Sequence, residues 1–177
     1  MSAIEPAPPI DIIVDSPQWE ATPGAEATVR RALTESGIAT GANFTDRMLA
    51  VLLTDDAAIR RLNAQWRGID KPTNVLSFPP APNADAQFGA VKSLGDIAIA
   101  FETTAREAAE EGKPFDHHLA HLAVHGLLHL LGYDHDTESA ATTMEQFERV
   151  ILGRLGVTDP YLMHEQVAPR TLREARS

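Results

Sequence analysis

The chain has 177 residues, of which 44% are hydrophobic and 23% are charged, and it contains no cysteine. This length predicts one domain with a substantial core and leaves little room for a second. The lack of cysteine excludes disulfides and thiolate metal sites, and the N-terminus lacks a signal-peptide pattern, so we expect a cytoplasmic protein. No run approaches the ~18 apolar residues of a membrane span, so no membrane partner is expected.

The net charge of −10 bears on possible partners. Proteins that bind nucleic acid without sequence preference are usually basic, because neutralising phosphates releases counterions. The charge therefore argues against strong general affinity for RNA. It is still compatible with a local basic cleft, or with a bound metal ion that supplies positive charge at one phosphate.

The first half of the chain predicts alternating strands and helices. Residues 1–9 are expected to form an N-terminal extension before a domain that spans residues 10–161. The predicted elements are a strand at Ile10–Val14, a helix capped by Thr22 that ends near Gly37, a strand at Phe44–Thr54 buried on both faces, and a helix opened by Asp55 and Asp56. The last of these helices is expected to place Ile59, Leu62 and Trp66 on one inward side.

The second half continues the same alternation and ends in a polar tail. The predicted elements are a strand closed by Pro79 and Pro80, a polar loop over Ala81–Ser93, a strand at Leu94–Ala100, and helices at Glu102–Glu111, Phe115–Leu131 and Thr137–Leu155. Residues 162–177 have little to pack and are expected to be flexible. Four strands with interleaved helices predict a layered α/β arrangement.

The stretch with the clearest chemical meaning contains His125, His129 and His135. On a helix, the first two lie four residues apart on one face, where two imidazoles can hold one metal ion. Gly132 can end that helix in the left-handed conformation. The chain can then turn back, so that the imidazole of His135 supplies a third nitrogen ligand. Three histidines leave a fourth zinc position open for water, as in catalytic sites, so the pattern predicts one catalytic Zn²⁺.

These histidines have two other interpretations. The helix could carry histidines that only face solvent or form hydrogen bonds in the core. His121 is also four residues from His125, but that pair lacks the turn glycine and the third downstream histidine. We therefore interpret His121 as a residue that supports the ligands or faces the substrate.

The residue after the first histidine distinguishes this pattern from that of metalloproteases. In H-E-x-x-H enzymes a glutamate at that position deprotonates the metal-bound water. Here the position is Gly126, which counts against peptide hydrolysis.

Two longer motifs resemble the signatures of a known family, the YbeY endoribonucleases. The first is His125-Gly-Leu-Leu-His129-Leu-Leu-Gly-Tyr-Asp-His135. The second, Leu62–Pro79, is similar to L-N-x-x-[YW]-R-x-x-D-x-P-T-[DN]-V-L-S-F-P. Leu94-Gly-Asp-Ile97 and Gly156–Tyr161 are weaker matches, so the resemblance covers about Ile10–Tyr161.

The resemblance implies both a fold and a function. The fold is a single α+β domain with a mixed four-stranded sheet and a central metal-binding helix. The function is a zinc-dependent endoribonuclease for single-stranded RNA. It acts in rRNA maturation, including the 3′ end of small-subunit rRNA, and in ribosome quality control. Ribosomal RNA and ribosomal proteins are the implied partners, and neither the resemblance nor the pattern indicates an oligomeric state.

The resemblance also implies a role for Arg67, which matches the arginine that the family uses near its substrate. A planar guanidinium pairs bidentately with phosphate, which suits that role, whereas the simpler alternative is a solvated arginine at a helix end. The general base is unassigned, because Gly126 cannot serve and Asp134 and Asp136 are interpreted as orienting ligands. Asp96 is expected to orient a histidine or to cap a turn.

Two alternative functions stay open at this point. One is a metallopeptidase with an unrecognised base. The other is a ribosome-assembly factor without catalytic activity, in which zinc only stabilises the fold. For the nuclease itself, the nucleophile is either water or the 2′-hydroxyl of the RNA.

Overall fold

The computed structural model describes residues 9–42, 44, 46–81 and 92–162. The predicted N-terminal extension up to residue 8, residues 82–91 of the predicted loop, and residues 163–177 of the predicted tail lie outside the described residues. The elements are β1 (Ile10–Val14), α1 (Pro17–Glu20), α2 (Ala25–Thr40), β2 (Arg47–Thr54), α3 (Asp56–Arg67), β3 (Val75–Phe78), β4 (Lys92–Ala100), α4 (Phe101–Glu110), α5 (Phe115–Leu130) and α6 (Glu138–Arg154).

The four strands form one mixed sheet in the order β1-β2-β4-β3. β1, β2 and β4 run parallel, and β3 pairs antiparallel with β4. The predicted α+β fold with a mixed four-stranded sheet is confirmed. No helix among the described ranges is long and apolar enough to cross a bilayer.

The sheet separates two hydrophobic clusters, because successive side chains of a strand point to opposite faces. Leu49, Val51 and Leu53 of β2 lie in the larger cluster, with α2, α5 and α6. Leu52 instead packs against a smaller cluster that includes Ile59 of α3. On this second side of β2, Ala50 and Leu52 are only partly buried and Met48 is exposed, although Thr54 is buried, so the prediction of a strand buried on both faces is too strong.

The helix α5 lies at the centre of the larger layer, as predicted. It contacts β3 and β4 on one side and α2, α4 and α6 on the others. At Gly126 the helix approaches the sheet so closely that a Cβ atom there would lie 3.1 Å from Ile97 Cγ2. This central position fixes the histidine-bearing side of α5 relative to β3.

The predicted limits of α2 are wrong at both ends. The helix is capped by Gly24 and not by Thr22, and it continues through Gly37 to Thr40. Gly37 is a packing residue, because a Cβ atom there would lie 2.1 Å from the Phe44 ring. The helix ends where Gly41 adopts a left-handed conformation with φ 66°.

The orientation predicted for Trp66 is also wrong. Ile59 is fully buried, but 65% of the Trp66 surface is exposed. The indole contacts the rest of the protein through the Phe78 ring, with 6.2 Å between ring centroids. Its neighbours Gln65 and Arg67 are exposed as well, so the end of α3 faces solvent.

Strand limits differ slightly from the predicted ones. β2 begins at Arg47, three residues after the predicted start, and β4 begins at Lys92, two residues before its predicted start. The short helix α1 was not predicted; its Trp19 is buried and donates from Nε1 to the Thr54 carbonyl at 2.7 Å.

Candidate active site

The C-terminal end of α5 turns the chain back toward its own histidines. Gly132 has φ 96° and donates its N–H to the His129 carbonyl at 3.1 Å, while Tyr133 donates to the Leu128 carbonyl at 3.0 Å. These two bonds form a Schellman motif, which requires the left-handed glycine. The Asp134 carboxylate then accepts from the backbone N–H of Asp136 at 3.2 Å, so Asp134 shapes the turn that carries His135.

This turn brings the three histidines of the predicted triad together. One ring nitrogen from each of His125, His129 and His135 lies within 4.8 Å of the others. The Nε2 atoms of His125 and His129 are 3.1 Å apart. Ligand nitrogens in a tetrahedral zinc site are about 3.3 Å apart, given Zn–N distances of 2.0–2.1 Å. Three neutral nitrogen donors at such separations fit a zinc ion.

The surroundings favour the neutral form of His129. Its pKa is lowered first by burial and then by the neighbouring His125 and His135. Only an unprotonated imidazole nitrogen can bind a metal ion. The environment of His129 is therefore compatible with a ligand role at neutral pH.

A carboxylate that the sequence motifs did not identify lies beneath this triad. Glu148 of α6 is fully buried, and its Oε1 lies 2.6 Å from His125 Nδ1. Its Oε2 lies 3.1 Å from His121 Nε2 and also accepts a hydrogen bond from the Tyr161 hydroxyl. The carboxylate therefore contacts a predicted metal ligand and two further residues of the site.

The network keeps Glu148 ionised. Burial alone would raise its pKa, but the hydrogen bonds from His121, His125 and Tyr161 lower it well below the usual range. The pKa of Tyr161 is raised, first by burial and then by the hydrogen bond to Glu148. Charge is therefore concentrated on the carboxylate, and the phenol stays protonated.

One signal in the sequence could have revealed Glu148. The buried positions of α6 recur at helical spacing, and Glu148 is the acidic member among Met144, Ile151 and Leu152. A glutamate in an apolar stripe is rarely buried unless it is paired. The position of Glu148 in this stripe therefore implies polar partners from another element, but the sequence does not identify them.

The histidines open into a cavity of about 810 Å³, which we call the histidine cavity. It lies between α5, β3, the turn after Gly132 and Tyr161. Its charged and histidine lining residues are Arg67, Glu107, Glu111, His118, His121, His125, His129, Asp134, His135 and Asp136. Among the described lining residues, Arg67 is the one Lys or Arg side chain, so the cavity without metal is strongly acidic.

Arg67 reaches the cavity because α3 ends there. Gly68 caps the helix with φ 69°, and buried Asn63 donates from Nδ2 to the Lys71 carbonyl at 2.9 Å. Arg60, on the same helix, forms a bidentate ion pair with Asp70 at 2.8 and 3.2 Å. These contacts hold the turn after α3, while Arg67 takes part in none of the ion pairs found among the described residues.

Gly126 faces the sheet and not the metal ligands. Its carbonyl accepts from the Ser77 hydroxyl at 2.9 Å, and a Cβ atom would contact Ile97 and that same hydroxyl. A glutamate at this position would press against Ile97 and the Ser77 hydroxyl, on the side of α5 that faces the sheet. Packing therefore disfavours a metallopeptidase base here, in addition to its absence from the sequence.

The structure places Asp96 away from the predicted roles. It lies on β4 opposite Phe78 and Ala50, and its side chain takes part in no hydrogen bond within the described part of the chain.

A second Glu–His pair lies further along the cavity, where Glu107 accepts from Asn74 at 3.0 Å and contacts His118 Nε2 at 2.7 Å.

Comparison with known proteins places this geometry in a family. The family profile described as "Endoribonuclease YbeY" matches residues 14–156. A relative from Rhodopseudomonas palustris strain BisA53, named endoribonuclease YbeY, is 59% identical over 91% of this chain and 93% of its own length. Relatives of the same name from Nitrobacter hamburgensis and a Bradyrhizobium species are 53% and 51% identical, over 91% and 92% of this chain and 86% and 97% of their own lengths.

Among solved structures, a solution structure from Thermotoga maritima shares 22% identity with a TM-score of 0.49, and the match covers 85% of this chain and 97% of that chain. The profile match extends through most of the described fold and includes all three clustered histidines. The chain belongs to the YbeY endoribonuclease family.

Proposed function

We propose that this protein is a zinc-dependent endoribonuclease that cuts single-stranded RNA. Its setting would be the cytoplasm, where it would act with ribosomal partners in rRNA maturation, including the 3′ end of small-subunit rRNA, and in ribosome quality control. Membership of the YbeY family supports the reaction class. The zinc, the ribosomal setting and the roles of individual residues are inferences from that membership and from the site.

One observation carries the proposal: Arg67 and the histidine triad line the same cavity. An arginine fork can bind a phosphodiester through two hydrogen bonds and offset the charge that develops on it during cleavage. Arg67 is exposed and unconstrained by an ion pair among the described residues, so it is available to a substrate phosphate.

His125, His129 and His135 would hold the ion, since their nitrogens already cluster without it. When bound, zinc supplies Lewis acidity at a phosphoryl oxygen and activates water. Glu107, Glu111, Asp134 and Asp136 make the surrounding wall acidic and would repel a phosphate. Entry of RNA would therefore need the positive charge of the bound zinc ion in addition to that of Arg67.

The shape of the site favours an unpaired strand over a duplex. The histidine cavity is concave, and an A-form duplex holds its phosphates in a rigid geometry that cannot bend into it. Trp66 precedes Arg67 and presents an exposed indole on which a base could stack. Both features suit a flexible strand whose bases are accessible.

The two alternative functions receive less support. The sequence has glycine where a peptidase would have its base, and the close packing of Gly126 against Ile97 disfavours any side chain there. A purely structural zinc site is closed by four protein ligands. Here the candidate group within the described residues has three members, and His121 points its Nε2 to Glu148 instead.

The test uses one zinc-loaded preparation on three substrates: an unpaired RNA, the same RNA in a perfect duplex, and an unfolded protein. We expect cleavage of the unpaired RNA, little cleavage of the duplex, and an intact protein. The His129→Ala variant, purified in parallel, controls for contaminating nuclease. Proteolysis that disappears in this variant, without RNA cleavage, would overturn the proposal in favour of a peptidase.

A further inference from the structure

The carboxylate of Glu148 controls which ring nitrogen of His125 is free. Its Oε1 lies 2.6 Å from His125 Nδ1, so that nitrogen must carry the proton to form the hydrogen bond. The lone pair of His125 is then on Nε2, which is the atom that lies 3.1 Å from His129 Nε2. The hydrogen bond therefore selects the tautomer that can bind an ion together with His129.

The same carboxylate keeps His121 away from the ion. His121 and His125 have the spacing of a ligand pair, but His121 Nε2 lies 3.1 Å from Glu148 Oε2. The Tyr161 hydroxyl donates to that oxygen as well. Glu148 thus makes two histidines of one helix face different. The Nε2 atom of His125 stays free of the carboxylate, whereas the Nε2 atom of His121 is hydrogen-bonded to it.

The location of Glu148 makes this orientation rigid. The side chain is 1% exposed, and it lies on α6 beside buried Met144, Ile151 and Leu152. A hydrogen bond shielded from water is stronger than an exposed one, and close-packed neighbours restrict the movement of the carboxylate.

Tyr161 is held in place by its own contacts. Its backbone N–H donates to the Asp159 carboxylate at 2.8 Å, and its ring lies 5.4 Å from the Arg149 guanidinium carbon. The turn after α6 therefore closes over Glu148 and completes its hydrogen bonding.

We propose that Glu148 is the positioning residue of the metal centre: it fixes the His125 tautomer and withholds His121 from the ion. The inference rests on the proposed metal centre, and it adds a residue outside the three histidines. Carboxylates that orient metal-binding histidines typically contribute 10–100-fold to metal affinity.

The decisive variants are Glu148→Gln and its matched control Glu107→Gln. Glutamine has nearly the volume of glutamate, but it is uncharged and one of its two terminal atoms is an NH2 donor, so it cannot accept hydrogen bonds from both His125 and the Tyr161 hydroxyl as the two carboxylate oxygens do. Glu107 pairs with His118 at 2.7 Å in the same cavity, so its substitution removes an equal charge without touching a predicted ligand. Zinc affinity is measured for each by competition with a chromophoric chelator.

We expect zinc to bind Glu148→Gln about 10–100-fold more weakly than the wild type, and Glu107→Gln to lie within about twofold of it. Equal losses in both variants would mean that general negative charge is responsible, and would overturn the proposal. Wild-type affinity in Glu148→Gln would overturn it too. A wild-type chain that binds no zinc would instead contradict the proposed metal centre itself, so the two failures are distinguishable.

A second measurement covers the case in which Glu148→Gln does not fold. Long-range ¹H–¹⁵N spectra of the imidazoles report which nitrogen carries the proton. In the zinc-free wild type at mildly alkaline pH, His125 should carry its proton on Nδ1. A His125 ring protonated only on Nε2 would overturn the proposal without any variant.

Discussion

The Ser77 hydroxyl donates to the Gly126 carbonyl at 2.9 Å, which joins β3 to the helix that carries the histidines. Gly126 lies between His125 and His129, and its missing side chain lets α5 approach Ile97 of β4. The absence of a side chain at Gly126 therefore sets how closely the histidine triad approaches the sheet. Because β3 lines the other wall of the histidine cavity, this contact also sets the width of the cavity.

Gly126→Ala should lower stability although alanine favours helix. The helical preference gains about 1 kcal/mol, while overpacking against a rigid strand costs about 1–3 kcal/mol. We expect a net loss of about 1 kcal/mol in the free energy of unfolding, measured by urea denaturation. Ile97→Ala should lower the free energy of unfolding less in the Gly126→Ala background than in the wild type. If the effects of the two substitutions on this free energy were strictly additive, the proposed contact would be contradicted.

The proposed ligands make a prediction about metal content. His125→Ala, His129→Ala and His135→Ala should each contain less than one zinc per chain, because two imidazoles hold the ion weakly. His121→Ala should keep its zinc, because His121 Nε2 contacts Glu148 in the structure. Elemental analysis of the purified proteins tests both. Full zinc content in His129→Ala, or loss of zinc from His121→Ala, would show that the ligand set is wrong.

Arg67 should contribute to catalysis and not to folding. Arg67→Ala should lose about 2–4 kcal/mol of transition-state stabilisation, measured as kcat/KM on unpaired RNA, with unchanged zinc content and Tm. Arg60→Ala is the matched control, because Arg60 lies on the same helix but pairs with Asp70. If both variants retained activity within a factor of two of the wild type, Arg67 would be an ordinary surface arginine.

Trp66 should contribute to binding of RNA. Its exposed indole can stack on a base, which is worth about 1–3 kcal/mol. Trp66→Ala should therefore weaken binding of single-stranded RNA about fivefold or more, whereas Trp66→Phe should retain most of the affinity. Fluorescence anisotropy with a labelled oligonucleotide measures both. Equal affinities for the alanine and phenylalanine variants would argue against stacking.

Asp96 predicts a pH dependence of stability. Although Asp96 is exposed on β4, partial desolvation raises its pKa above the ordinary value of about 3.9, so the folded protein holds this proton more tightly than the unfolded chain does. Stability from this group is present below the ordinary pKa and is lost as pH rises through the raised value. Asp96→Asn should therefore change Tm little near pH 3, and raise it increasingly as pH approaches neutrality.

Asp70→Asn should show the opposite sign. The hydrogen bond and charge of Arg60 hold the pKa of Asp70 below its usual range, so its ionised form favours folding. Removing it should lower Tm above the ordinary carboxyl pKa and have less effect as pH falls below it. Thermal scans of both variants and the wild type at matched pH values test these expectations. If the change in Tm had the same sign and pH dependence in both variants, the opposite pKa shifts of the two aspartates would be contradicted.

The local features of the chain were predictable from sequence. The predicted α5 agrees with the structure to within a residue, and β3 ends just before Pro79 as predicted, because apolar periodicity, proline and the cap glycine act over short distances. Gly132 was predicted to end α5 for the conformational reason that the structure shows. The spacing of the three histidines implied one ion between them, since a helical turn and a tight reversal leave few other arrangements.

What the sequence could not determine depends on partners far along the chain. Glu148 is 23 residues from His125, and only the packing of α6 against α5 reveals that they meet. Gly37 was interpreted as a helix end, yet it is a packing glycine because Phe44 folds onto it. Trp66 has the spacing of a core residue but lies at the exposed end of α3. Periodicity tells which residues share a face, whereas the tertiary structure decides what covers that face.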